Sequence, residues 1–375
     1  MRRVVILQEY IPTYRVPFFE ALRARAAKEQ IDVVVACGRP NGAQDLRGDS
    51  STVEFVQHLP QREVSVFGRR VVFRRVSKAI RGADLVILEQ ARRNLDSYWL
   101  LGPARRRTTR VALWGHGRDY TRRTKSLDRI VQRWLTRRAD WFFAYTEGGV
   151  AAVTEQGYPR SRTTLVQNSI DTTRLRKQIS AVTTTDTDSF RARHDLRGKT
   201  ALFVGALDES KRLPFLLEAA KLVHNEDADF RLIVAGDGAL RDEIESWART
   251  ESWVTYLGQV GGDAKSVVLA SAQVMAMPGR VGLVAVDSFA AATPIVTTDW
   301  AWHAPESEYL VDGVNAVITA DDVGSFADAL TETLANAPRL AGFAEACQAG
   351  SEQYTLEAMV ENYVAGILSA LEVER

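Results

Sequence analysis

The sequence predicts an α/β protein made of two doubly wound domains of similar size, and three observations carry that prediction. Short apolar runs of buried-strand length alternate with helical stretches almost throughout, the rhythm of a parallel sheet covered by helices on both faces. A polar, structure-poor segment, Ala181–Asp188 (AVTTTDTD), separates two such alternations and reads as a linker. The length, 375 residues, is ample for two hydrophobic cores. This pattern fits domains that face each other across a cleft. Ligands of such sheets sit beyond the carboxyl ends of the strands.

In the first alternation, Val4–Gln8 reads as a strand and Val16–Glu29 as a helix with Phe18, Phe19 and Leu22 on one stripe. Asp32–Cys37 (DVVVAC) is the next strand. Strand-like pieces follow at Val53–Val56 and Val64–Phe67, then a helix near Val76–Arg81. Leu85–Leu88, Val111–Trp114 and Trp141–Tyr145 are further buried-type strands, with helices at Asn94–Leu101 and Lys125–Arg138 between them. In the second alternation the strands are Ala201–Val204, Arg231–Ala235, Val254–Leu257, Val274–Met277 and Pro294–Thr298. The last stretch, Thr355–Glu374, is a helix with an apolar stripe through Met359, Val360, Tyr363, Val364, Ile367 and Leu368.

Composition excludes several classes. Two distant cysteines, Cys37 and Cys347, make no disulfide framework, and the five histidines show no ligand spacing, so no metal is expected. The run after Met1-Arg2-Arg3 is too short for a signal peptide, and no apolar run approaches the roughly 20 residues of a membrane span. A soluble, cytoplasmic protein is the expectation. The formal charge of +1 hides a split: residues 1–180 hold 34 basic and 17 acidic side chains, about +17, which leaves about −16 for the remainder. The basic half includes Arg69-Arg70, Arg74-Arg75, Arg105-Arg106-Arg107, Arg122-Arg123 and Arg137-Arg138. Such a half suits an anionic membrane surface or a phosphate-bearing acceptor, or simply the acidic half of the same chain. No motif interleaves aromatic and basic residues in the way nucleic-acid binding requires.

The second half is organised around Met277–Asp299 (MPGRVGLVAVDSFAAATPIVTTD), which reads as strand end, tight loop, helix and new strand. Gly282-Leu283-Val284 opens the helix. Its first amides and the positive end of its dipole make an anion site suited to a diphosphate. Asp287, in the second turn, can accept hydrogen bonds from vicinal hydroxyls such as those of a ribose. Ordinary strand–loop–helix connections share this pattern, but other positions fall on the same carboxyl edge. Gly205 to Arg212 (GALDESKR) follows one strand and brings Lys211 and Arg212, and Gly236-Asp237-Gly238 follows the next. In the first half, Gly115-His116-Gly117 lets an imidazole stand clear between glycines.

Taken together, these segments resemble the retaining GT-B glycosyltransferases of family 4, whose fold is two Rossmann-like domains. The matching stretches are FVGALDESKR, LIVAGDG, YLGQV, MPGRVGLVAVDSFAAATPIVTTD and EYLVDGVNAVIT, with VQNSID before the interdomain linker. The resemblance covers about the whole chain and is strongest from Leu202 to Asn315. It implies an N-terminal acceptor domain over residues 1–180, a donor domain over 189–350, and a final helix from about 354 to 375 that returns to the first domain. The implied reaction moves a hexose-type sugar from a nucleoside diphosphate sugar to an acceptor hydroxyl with retention, without a cofactor or metal.

By the same resemblance, His116 contacts the donor sugar and Lys211 offsets diphosphate charge. Gly205, Arg212, Gly236, Gly282, Leu283, Val284 and Asp287 hold the nucleotide, with Gln259 and Val260 beside the base. Tyr10, Tyr14, Arg15, Glu89 and Thr146 line the acceptor side, where Tyr14 and Arg15 can equally brace the first helix. The chain departs from the family's E-x7-E pair: the second acid aligns with Asp287, but the first position is Gly279. Ala206 stands in place of an arginine. Arg280 or Arg212 is expected to compensate beside Lys211. A sugar-nucleotide epimerase and a non-catalytic sugar-nucleotide or glycan binder are the competing readings.

Overall fold

The computed structural model describes residues 1–42, 53–102, 109–120 and 126–373. They form two compact units: Met1–Ile170 together with Leu356–Arg375, and Asp171–Thr355.

The first unit is built on a seven-stranded parallel sheet of order β3-β2-β1-β6-β7-β8-β9. Its strands are β1 (Arg2–Gln8), β2 (Ile31–Cys37), β3 (Val56–His58), β6 (Leu85–Glu89), β7 (Arg110–Gly115), β8 (Trp141–Ala144) and β9 (Thr163–Leu165). Because side chains alternate across a strand, β1 feeds two cores at once. Val4 and Ile6 join Phe18, Phe19 and Leu22 of helix α1 (Val16–Lys28) on one face. Val5 and Leu7 join Val86, Leu88, Leu100 and Phe142 on the other. The C-terminal helix Leu356–Glu372 lays Met359, Tyr363 and Ile367 on the first of these cores. Tyr363 stacks on Phe143 with ring centroids 4.6 Å apart. All three side chains are fully buried, and burial of each stabilises by about 1.5–3 kcal/mol.

A separate antiparallel hairpin, β4 (Gln61–Val66) and β5 (Arg69–Arg74), belongs to the same unit. Its two-residue turn places Phe67 (φ 50) and Gly68 (φ 71) in the left-handed region, as the twist of a tight hairpin demands. The second unit is a six-stranded parallel sheet of order β12-β11-β10-β13-β14-β15. Its strands are β10 (Thr200–Val204), β11 (Arg231–Ala235), β12 (Val254–Tyr256), β13 (Val274–Ala276), β14 (Ile295–Thr298) and β15 (Ala316–Thr319).

Five expectations need correction. Of the strand-like piece read at Val53–Val56 only Val56 is strand, and that strand runs on to His58. The strand read at Val64–Phe67 begins at Gln61 and ends at Val66, with Phe67 in the hairpin turn, and its partner Arg69–Arg74 escaped notice because RRVVFR mixes arginine and apolar residues on both faces. Val76–Arg81 forms successive turns rather than a helix. Ala181–Asp188 is not structure-poor: a helix covers Thr184–Arg193, opened by a capping box in which Thr183 and Asp186 satisfy each other's backbone amides. No residue of that helix is buried, so no apolar stripe betrays it. Helix Val284–Ala291 begins at Val284 rather than Gly282, which puts Asp287 in the first turn. The Arg105–Arg107 and Arg122-Arg123 clusters and Lys125 lie outside the described residues.

Candidate active site

In each sheet the strand order reverses once, between β1 and β6 in the first unit and between β10 and β13 in the second. Connections leave to opposite faces at such a point, which opens a crevice at the carboxyl ends.

In the second unit, two loops meet over that point. After β10, Asp208 caps a single turn, Glu209–Lys211, by accepting from the Ser210 amide. Arg212 then takes a left-handed conformation (φ 54) and hands over to the helix Leu213–Glu226. After β13, the loop Pro278–Leu283 presses against this turn. The Arg280 amide donates to the Ser210 carbonyl at 2.8 Å, and the Lys211 ammonium donates to the Arg280 carbonyl at 2.5 Å. Arg212 donates to the Pro278 carbonyl at 3.3 Å and pairs with Asp321. The Arg280 guanidinium donates to the Trp302 carbonyl at 3.3 Å. Lys211, Arg212 and Arg280 are thus gathered on one edge.

The packing also gives a physical reason for the missing acid. A methyl group at Gly279 would lie 2.5 Å from the carbonyl oxygens of Ser210 and Lys211, so no carboxylate fits there while the loops touch. Gly236 is equally constrained: with φ 149, its Cβ would fall 1.8 Å from the Gly205 carbonyl oxygen. The Gly205 amide donates to the Ala235 carbonyl at 3.0 Å, so the two glycine turns close on each other.

His303 is a residue that the sequence did not single out. Its Nδ1 accepts the Val281 amide at 3.0 Å and its Nε2 lies 2.8 Å from the Thr298 carbonyl. A carbonyl only accepts, so the ring is the neutral Nε2–H tautomer, and it ties the loop Pro278–Leu283 to the end of β14. Burial depresses its pKa below the ordinary histidine value, Lys211, Arg280 and Arg212 depress it further, and the Thr298 carbonyl opposes them. Glu306, also unforeseen, is buried, with Oε2 3.6 Å from where a Cβ of Gly282 would stand. Asp287 is tied by its Oδ1 to the Lys265 ammonium at 2.7 Å. Leu283 is the residue before the first turn of its helix and Val284 opens that turn. Gln259 is exposed and Val260 half-buried in the loop after β12.

The first unit's reversal point is built from carboxylates and arginines. Glu9, the residue after β1, is buried and pairs with Arg70 and Arg93, the latter through Nε at 3.0 Å. Those guanidinium groups hold its carboxyl below the usual range although burial works against them. Glu89, the last residue of β6, receives less help. Burial pushes its pKa up to about 7, against the pull of Arg74, and Glu9 adds to the rise. The buried Arg74 donates to the Gln8 carbonyl at 2.6 Å and pairs with Asp96 at 2.7 Å.

Beside them, the His116 ring lies 4.6 Å from the Tyr145 ring and 5.8 Å from Tyr120. The Gly117 amide donates to Gln90 at 2.9 Å and fixes this turn. Thr146 is buried at the start of helix Glu147–Glu155 without capping it. Tyr10 is half-buried and Tyr14 exposed. Arg15 is in the core: 5% exposed, it stands 5.2 Å above the Trp114 ring and donates to the Met359 sulfur at 3.8 Å. Its bracing role is the one these contacts describe. Among the described residues, no group of three His, Cys, Asp or Glu side chains is placed to hold a metal ion, and no helix is long and apolar enough to cross a membrane.

Two parallel-sheet units with crevices at their strand-order reversals define a GT-B architecture. Residues 18–174 match the family model Glycosyltransferase Family 4, and residues 198–336 match Glycosyl transferases group 1. The chain belongs to these group 1, family 4 glycosyltransferases. It is 33% identical over 146 residues to phosphatidyl-myo-inositol mannosyltransferase of Mycobacterium leprae. It is 33% identical over 125 residues to the enzyme of that name in Mycobacterium tuberculosis H37Rv. These matches cover 37% and 30% of the chain, and span 38% and 33% of the relatives' length. The fold is similar to that of Anabaena HepE in complex with UDP, with a TM-score of 0.72, 15% identity, and coverage of 98% of this chain and 100% of that one. A glycosyltransferase from Rickettsia africae is similar with a TM-score of 0.72 at 10% identity, over 100% of this chain and 99% of that one.

Proposed function

We propose that the protein is a retaining glycosyltransferase that moves a hexose-type sugar from a nucleoside diphosphate sugar to an acceptor hydroxyl. The observation that carries this is the convergence of Lys211, Arg212 and Arg280 over the β10/β13 reversal, beside the start of helix Val284–Ala291. Cations held by carbonyl oxygens keep their charge, so they suit a ligand that arrives with two phosphates and develops more charge as it leaves.

In this reading the acceptor oxygen forms a bond to the anomeric carbon as the bond to the diphosphate breaks. The acceptor proton passes to the departing diphosphate oxygen. Lys211 and Arg280 offset the charge on that oxygen, and the amides at Leu283 and Val284 add to them. Asp287, steadied by Lys265, accepts the ribose hydroxyls at its other oxygen, and Gln259 and Val260 flank the base. His116 contacts the donor sugar, while Glu89 and Thr146 meet the acceptor. Arg280 stands in for the arginine that Ala206 replaces.

The HepE structure holds UDP, and the mycobacterial relatives act on a phosphatidyl-inositol. Both are in keeping with a diphosphate donor and with a glycan or lipid-linked acceptor for this chain, and a small-molecule acceptor is the alternative.

The first test is thermal stabilisation by UDP, GDP, dTDP, ADP and CDP. Ligand at about a hundred times its Kd adds roughly 2.7 kcal/mol, so one nucleotide should stand out and name the donor class. Silence toward all five would contradict the proposal and favour a glycan binder. Incubation with donor alone then separates transfer from epimerisation, which needs no acceptor.

A further inference from the structure

In the second unit the ends of β13 and β14 are fastened together beyond the ladder of the sheet. Thr297 and Thr298 donate their hydroxyls to the carbonyls of Met277 at 2.7 Å and Pro278 at 3.1 Å. Further along, the Ala304 amide donates to the Val281 carbonyl at 2.8 Å. The Arg280 guanidinium on the Trp302 carbonyl and His303 on the Val281 amide add to these bonds. The segment Asp299–His303 (DWAWH) is therefore held as one piece with the loop Pro278–Leu283.

This segment carries two tryptophans that the fold does not use up. Trp300 and Trp302 are each half-buried, and among the described residues neither indole N–H donates to an acceptor. Indole groups in this condition, apolar on their faces with a donor on the edge, suit a ligand that presents C–H and hydroxyl groups side by side. Trp300 also stands next to the cations. The Arg212 guanidinium lies 5.6 Å from its ring centroid and 4.3 Å from that of Phe215. The His303 ring meets Trp300 at 89°, with centroids 5.9 Å apart.

The order of the sheet decides which part of a donor reaches these rings. The strand ends run β12-β11-β10-β13-β14-β15, with neighbours about 4.8 Å apart. With the base beside Gln259 and Val260 after β12, and the diphosphate over the β10/β13 reversal, the group on the far phosphate continues away from β12. It arrives at the end of β14, where Trp300 and Trp302 stand. The loop after β13 cannot grip its hydroxyls with a carboxylate, because Gly279 leaves no room for one.

We propose that Trp300 and Trp302 form the subsite for the transferred sugar, a hexopyranose whose C–H face lies on an indole ring and whose hydroxyl oxygens accept from the indole N–H groups. The proposal rests on the transferase reading and adds to it that aromatic rings, not charged groups, select the sugar.

The test is titration calorimetry of the full chain with UDP, GDP, dTDP, ADP and CDP, each as the free diphosphate and as its glucose and mannose conjugates. Wild type should bind one diphosphate and a hexose conjugate of it. The double change Trp300→Ala with Trp302→Ala should raise the Kd of that conjugate about tenfold, while the Kd of the free diphosphate moves by less than about twofold. Trp300→Phe with Trp302→Phe, which keeps rings and removes the N–H groups, should fall between. Equal weakening of both ligands would mean that the rings only order Arg212, and unchanged binding of both would mean that they touch neither. Either result overturns the proposal, as does a wild type that binds a diphosphate and none of its conjugates. Saturation-transfer NMR on the wild type needs no variant: irradiation of aromatic protons should reach the C–H protons of the hexose. A silent hexose beside a responding base would overturn the proposal even if the variants failed to fold. Wild type that binds none of these ligands would defeat the transferase reading itself, so the two failures are told apart.

Discussion

The reversal points of the two sheets are both rich in arginine or lysine, yet they are held by different chemistry. In the second unit Lys211, Arg212 and Arg280 donate to the carbonyls of Arg280, Pro278 and Trp302, and Arg212 also pairs with Asp321. In the first unit Arg70, Arg74 and Arg93 are matched against Glu9 and Asp96. A cation bonded to a neutral carbonyl retains its field and can meet a diphosphate. A cation bonded to a buried carboxylate is spent on structure, and its neighbourhood suits hydroxyl groups. This difference supports the proposal that the second unit takes the donor and the first the acceptor.

The largest effect that could break this comparison is in the first unit. Arg74→Met should strand Asp96 and cost about 3–5 kcal/mol, read as a lowered denaturation midpoint. The double variant Arg74→Met with Asp96→Leu should recover much of it. A loss below about 1 kcal/mol would mean the pair is not structural.

The next effect is kinetic. Lys211→Ala should lower turnover about 10²–10³-fold while the melting temperature barely moves. Arg280→Ala should follow in direction with a smaller loss, well beyond that of an exposed control such as Arg249→Ala. Equal losses for Arg280 and the control would remove Arg280 from the donor site.

Two smaller effects concern pH. The Glu89 carboxyl titrates at about 7 in the folded protein against 4.5 ordinarily. Between those values the unfolded chain releases its proton first, so stability falls as pH rises through this window. Glu89→Gln should flatten the fall in urea melts. His303 works in the opposite sense and should give the smallest effect. Its folded pKa lies below 6.5, so the unfolded chain takes up a proton first as pH drops below that value, and stability declines. Protonation would also remove the acceptor that holds the Val281 amide. His303→Gln should therefore weaken nucleotide binding at neutral pH and lose the wild-type decline on acidification. An unchanged acid limb in the variant would assign that limb to another group.

Much of the architecture was legible in the chain itself. Buried parallel strands are continuous apolar runs, and in Val4–Gln8, Leu85–Leu88, Arg231–Ala235 and Pro294–Thr298 that signal has no competitor. The glycines at 205, 236 and 279 and the cations at 211, 212 and 280 could also be placed at strand ends, because position along a strand is a local property. Helix Thr184–Arg193 was not legible, since its stability comes from a cap rather than an apolar stripe, and the hairpin Gln61–Arg74 was hidden by arginines that bury their charge against acids distant in sequence. Only the tertiary structure decided that Gly279 excludes a carboxylate, that His303 anchors the donor loop, that Arg15 belongs to the core, and that Glu9 and Glu89 titrate apart. Each of these depends on atoms brought within a few ångströms from segments far apart in the chain. Desolvation and close packing act on that distance, and residue spacing carries no record of it.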